Sequence, residues 1–108
     1  MKAVAAYNQP AVTVPATGST PVLLTPTSGS WDFVDIPNTS VQTIFIRCQH
    51  FEATAPDDTQ LTSAAGWTFQ IPAQSTLTLN YGPGVAIYAV LAAGSADIEI
   101  NTGVFDGE

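Results

Sequence analysis

The chain has 108 residues, which allows one domain with one hydrophobic core and excludes a second independent one. It is 45% hydrophobic and only 10% charged, with 8 Gly and 8 Pro, a composition that points to strands and turns because surface helices carry Glu, Lys and Arg on their wet face. The net charge is -7, with Lys2 and Arg47 the only strong cations, which argues against binding to nucleic-acid phosphates or to an anionic membrane surface.

Cys48 has no second cysteine to pair with, and its neighbours in IFIRC mark an inert, buried thiol. After Met1-Lys2 the apolar run AVAAY covers five residues before Asn8, too short for a secretory core, and no stretch approaches the roughly 18 apolar residues of a membrane span. The expectation is cytoplasmic synthesis.

Residues 1–30 contain Pro10, Pro15, Pro21 and Pro26, a spacing that forbids a long helix and leaves extended backbone. Short strands are predicted at Ala11–Val14 and Val22–Thr25. This extended N-terminal arm has two possible homes, the edge of its own sheet or a neighbouring subunit. Trp31–Ile36 is a predicted strand closed by Pro37-Asn38, and Val41–Cys48 is a second. Ile44, Ile46 and Cys48 fall on one face of the latter, with Val41, Thr43 and Phe45 on the other, so it should lie centrally.

Glu52–Ala65 turns at Pro56-Asp57-Asp58 and has little hydrophobic periodicity, so it is expected as a long loop and a contact element. In Gly66–Asn101, Trp67, Phe69 and Ile71 alternate, as do Leu77, Leu79 and Tyr81, with Pro72–Gln74 between them, which predicts a hairpin. Parity with Phe69 and Ile71 assigns Trp67 to the core. Val85–Ala92 is apolar or small on both faces, as in a central strand, and Ala93-Gly94-Ser95 is expected to fold it onto Ala96–Asn101. Ala96, Ile98 and Ile100 should point inward there, with Asp97 and Glu99 in solvent. The acidic tail 102–108 is expected to be loose.

These elements predict an all-β fold, an antiparallel β-sandwich of jelly-roll or immunoglobulin-like topology or a small barrel. Its parts are an arm or edge (1–30), a sandwich core (31–101) and the tail (102–108). The strand order stays open.

Chemistry is sparse. His50 is the only histidine; with Cys48 it makes an i, i+2 pair, but a structural zinc site needs four ligands. No Gly-x-Ser-x-Gly elbow supports a nucleophile. Asp57-Asp58 and nearby Glu52 have the oxygens for a calcium site or for one carboxylate of a glycosidase pair, but an adjacent aspartate pair after proline reads first as a solvated turn. Trp31, Trp67, Tyr81 and Tyr88 are the rings available for stacking on a sugar. No catalytic residue, metal ligand or cofactor site is assigned. The candidate contact residues are Val12, Val14, Val22, Leu23, Leu24, Trp31, Asp57, Asp58 and Leu61.

The segment W-x-F-x-IPAQSTLTLNYGPGVAIYAVLAAGSADIEI resembles a pattern common in small virion proteins of tailed bacteriophages. Its pieces are the turn Ile71–Ser75, the strand Leu77–Tyr81, the turn Gly82–Gly84, Ile87–Val90, Gly94-Ser95 and the strand Asp97–Ile100. Gln74 stands where that pattern more usually has glycine. The resemblance implies a non-enzymatic head decoration (cement) protein of the virion, usually a homotrimer on the capsid lattice, whose partner is the major capsid protein or another virion protein. A collar, tail or baseplate component and a carbohydrate-binding module are the alternatives.

Overall fold

The computed structural model describes the backbone of residues 3–105 and the side chains of residues 7–105. Ten strands follow one another: β1 (Ala3–Asn8), β2 (Val12–Val14), β3 (Val22–Leu23), β4 (Phe33–Pro37), β5 (Ile44–His50), β6 (Phe69–Ile71), β7 (Thr76–Leu79), β8 (Val85–Leu91), β9 (Ala96–Ile98) and β10 (Asn101–Phe105). No helix occurs among the described residues, as the shortage of charged helix-formers led us to expect.

The pairing follows one rule. β1 pairs with β10, β2 with β9, β3 with β8, β4 with β7 and β5 with β6, always antiparallel. The first half of the chain therefore lies along the second half in reverse, a single long ribbon bent at the β5–β6 connection. Two more antiparallel ladders, β10 with β4 and β8 with β5, roll that ribbon up. The result is two four-stranded sheets, β1-β10-β4-β7 and β3-β8-β5-β6, with β2-β9 as a separate pair. A double ribbon rolled in this way is a jelly-roll sandwich, so the fold class is as expected and the closed barrel is not formed.

The main core lies between the sheets. Val34, Ile36 and Leu79 come from one sheet, Ile44, Ile46, Ile71, Ile87, Ala89 and Leu91 from the other, and Val14, Ile98 and Ile100 from the β2–β9 region and its continuation. β5 and β8 are central in their sheet, as their two apolar faces required. The opposite parity of these strands carries a second cluster in which Phe45 and Val90 are covered by Leu61. Leu61 belongs to the long 52–65 loop and is fully buried, so that loop is laid over the outer face of the sheet. Arg47 Nη1 donates to Gln60 O at 3.2 Å and Ser63 N to Thr17 Oγ1 at 2.9 Å, which pins it further.

Several expectations are corrected. β6 and β7 do not form a hairpin: β6 pairs with β5 and β7 with β4, in different sheets. Likewise β9 leaves β8 and pairs with β2. Alternation tells which side of a strand faces the core, but strands from either sheet face the same core, so it is blind to the choice of sheet. Trp67 precedes β6, outside the run where parity holds. It sits 36% exposed beside Phe45, ring centroids 6.1 Å apart, on the outer face. Val41 lies before β5 and is 81% exposed.

The tail is corrected as well. Residues 101–105 form β10, an interior strand between β1 and β4. Asp32 N donates to Gly103 O at 2.7 Å, Asp32 Oδ2 accepts from Phe105 N at 2.9 Å, and the rings of Phe33 and Phe105 stack at 5.0 Å. The rest of the expected tail, 106–108, lies outside the described residues. Of the two homes open to the N-terminal segment, the chain's own sandwich is the one taken, with β1 and β3 as edge strands.

One polar knot ties together the two crossings between the sheets that lie next to the ribbon's bend. Asn38 is 1% exposed. Its Nδ2 donates to Gln42 O (2.7 Å), Ile71 O (2.9 Å) and Pro72 O (3.1 Å), while its Oδ1 accepts from Ser40 N (3.0 Å) and Ser40 Oγ (2.6 Å). The β4–β5 turn is thereby tied to the β6–β7 crossover. Within that crossover Gln74 has φ of 61°, a left-handed conformation that glycine adopts without strain. The Gln74 Nε2 donates to Thr39 O and Ser40 O, each at 2.9 Å, which offsets the strain and explains how a residue other than glycine is held there.

Candidate functional site

The two sheets have four edge strands, β1, β7, β3 and β6. β3 is two residues long and lies between Pro21 and Pro26; β6 is three residues long and ends just before Pro72. Prolines beside a short edge hinder an incoming strand. β7 has four residues, and its Thr78 hydroxyl is engaged with Asp35 Oδ1 at 2.6 Å. β1 is the longest edge, six residues (AVAAYN), with neither proline nor charge within it. Among the described residues its only ladder is the one to β10. A long uncharged edge is a template for further backbone pairing.

The second feature is a cleft of about 410 Å³ at one end of the sandwich. The β3–β4 connection supplies Thr25, Thr27, Ser28 and Trp31, β8 supplies Tyr88, and Phe51 follows β5. None of the lining residues is charged, on a chain of net charge -7. Trp31 is 6% exposed, and its Nε1 is the one buried side-chain polar atom among the described residues with no hydrogen-bond partner. Phe51, by contrast, is 57% exposed, its ring centroid 5.0 Å from that of His50. Thr25 is buried, and its Oγ1 accepts from Ile87 N at 3.3 Å. A shallower depression of about 430 Å³ adjoins the same Thr25–Ser28 wall, with Gln9 to Val12 on its far side.

The residues expected as contacts are divided by this arrangement. Val14, Leu24, Trp31 and Leu61 are buried in the chain's own cores, so their apolar surface is already used in folding. Leu23 and Trp31 meet in the cleft; Val12, Leu23 and Leu24 meet in the adjoining depression. Val22 is half-buried opposite Ala89 in the β3–β8 ladder. Asp57 and Asp58 are exposed and belong to neither cleft. Asp57 Oδ1 accepts from Thr59 N, Thr59 Oγ1 and Gln60 N at 2.9, 2.7 and 3.0 Å. The Thr59 hydroxyl, then the backbone donors, hold its carboxyl below the usual range. This is a self-capped turn.

Phe51 was missed by sequence reasoning, as were the hydroxyls of Thr25, Thr27 and Ser28. Phe51 continues the outward-facing series Phe45, Arg47, Gln49 past the end of β5, so an unpartnered aromatic at the start of a polar loop was the available signal. Four other titratable side chains are engaged or covered locally. Burial pushes the Cys48 thiol up to about 11, with the Thr68 hydroxyl opposing. The Nδ1 of His50 accepts from Glu52 N at 3.1 Å. Asp97 accepts from Thr13 Oγ1 at 2.6 Å and Glu99 from Asn8 Nδ2 at 2.8 Å. Among the described residues no three His, Cys, Asp or Glu side chains converge as metal ligands.

Comparison of the chain with protein-family models, with curated proteins and with solved structures gives no match.

Proposed function

We propose that this chain is a non-enzymatic structural protein of a virus particle, a capsid decoration or cement protein that acts through protein–protein contacts as a homo-oligomer, in the first place a trimer. The observation that carries the reading is the β1 edge, whose outer side has no ladder partner among the described residues and no charge or proline to repel one. Strand addition at such an edge joins subunits through backbone hydrogen bonds, which suits assembly on a lattice of identical partners. The resemblance of Ile71–Ile100 to small phage virion proteins supports the same reading. The acidic surface keeps a protein displayed at high local density soluble.

The test is co-sedimentation with heads of the tailed phage that encodes the chain, purified without it, using the natural protein and an Ala5→Lys variant that places a charge on the β1 edge. The natural protein should pellet with the heads at a fixed stoichiometry and the variant should stay in the supernatant. Natural protein that ignores heads would end the decoration reading; pelleting with tails alone would move it to a tail or baseplate role.

A further inference from the structure

The geometry points to a second site, a neutral-saccharide subsite in the cleft of Thr25, Trp31, Phe51 and Tyr88. It is independent of the β1 edge and of the capsid reading. The chain carries 9 acidic residues, yet among the described residues none lines this cleft. An ionic ligand would find no counter-charge there, so the ligand class is neutral. Its volume of about 410 Å³ falls in the range of small-molecule pockets.

The lining combines ring faces with hydroxyls. Phe51 presents an exposed ring, and aromatic faces of this kind pack against the apolar C–H face of a sugar. Thr27 and Ser28 are exposed and make no side-chain hydrogen bond among the described residues. Hydroxyls donate and accept alike, which matches a ligand that does the same. Two donors are also left over. Thr25 Oγ1 is occupied as an acceptor by Ile87 N, leaving its proton to give, and the Trp31 indole N–H has no acceptor. A ligand rich in neutral oxygens answers the exposed Thr27 and Ser28 hydroxyls directly, whereas the Trp31 Nε1 is shielded from solvent inside the wall.

An apolar side chain from a partner protein fits less well. It would cover the Thr25, Thr27 and Ser28 hydroxyls without answering them, and an unanswered buried polar group costs about 1–3 kcal/mol. A peptide strand laid along β3 would find two residues between Pro21 and Pro26, too short a ladder to register.

The experiment is amide NMR titration of the whole chain with lactose, maltotriose and N,N′-diacetylchitobiose, preceded by a printed array of neutral and sialylated glycans. At least one neutral sugar is expected to bind, with shifts concentrated at residues 25–31, 51 and 83–88. Phe51→Ala should weaken that binding by about tenfold, the loss of one ring contact, while the remaining spectrum stays that of the folded protein. Because Phe51 is largely exposed, this variant should fold. If it does not, Thr27→Ala with Ser28→Ala supplies the same comparison. The inference is overturned by the absence of any shift at millimolar neutral sugar, by binding confined to sialylated glycans, by shifts elsewhere on the molecule, or by apolar peptides occupying the cleft when sugars do not.

Discussion

Replacing Asn38 by alanine should be among the most destabilising single changes outside the apolar core. The amide of Asn38 is 1% exposed and answers three backbone carbonyls, those of Gln42, Ile71 and Pro72, while its oxygen accepts twice from Ser40. Two amide protons serve three acceptors, so the loss amounts to about two full hydrogen bonds to buried carbonyls, with a further loss at the Ser40 turn. At roughly 1–3 kcal/mol for each buried partner left unanswered, the expected cost is about 3 kcal/mol. Urea unfolding followed by tryptophan fluorescence reads this directly. With a slope of roughly 1.5 kcal/mol per molar, the midpoint should fall by about 2 M with the slope unchanged. Asn38→Asp keeps the shape but sets an acceptor against three acceptors, so it should cost more at neutral pH and recover on acidification, when the protonated carboxyl regains a donor. A cost below about 1 kcal/mol for Asn38→Ala would refute the idea that this knot fastens the β4–β5 turn to the β6–β7 crossover.

At Gln74, alanine removes the two donations to Thr39 O and Ser40 O while keeping the left-handed strain; glycine removes both. Thermal melts should therefore rank Gln74→Gly above Gln74→Ala by about 1 kcal/mol, and equal melting would mean that the conformation carries no strain. Leu61→Ala uncovers Phe45 and Val90 and should cost about 3 kcal/mol, with faster proteolytic cutting within residues 52–65; a loss below about 1 kcal/mol would mean that the loop is not anchored. The Cys48 thiol is half-buried rather than fully buried; raised to about 11 by that burial, it should react slowly with iodoacetamide at pH 8 in the folded protein and quickly in urea, whereas rapid alkylation of the folded form would contradict its partial burial.

Much of the fold was legible in the residues, because alternation reports burial directly. The two apolar faces of β5 and β8 announced central strands, and Ile98 and Ile100 were placed inward correctly. Partnership was harder. Pro72–Gln74 has the composition of a hairpin turn, yet the chain crosses there between sheets, and only Asn38, more than thirty residues earlier in the chain, records the crossover. The β10 strand was hidden by composition: Thr102–Phe105 stands next to Asp106 and Glu108, so an acidic ending masked a strand held by Asp32 and Phe33. Leu61 is one apolar residue in a polar stretch, and a single anchor has no period to detect. The cleft was half visible. Trp31 and Tyr88 were suspected as rings, but their meeting with Phe51 depends on how the β3–β4 connection and the end of β5 come together at one end of the roll.

The most direct test of the account is the mass of the purified chain by light scattering across a range of concentrations, with the Ala5→Lys variant alongside. The β1-edge reading expects an oligomer, three times the 11.3 kDa of one chain for a trimer, that falls to the monomer in the variant. A mass of 11.3 kDa at every concentration for the natural protein, together with no binding to phage heads, would contradict it.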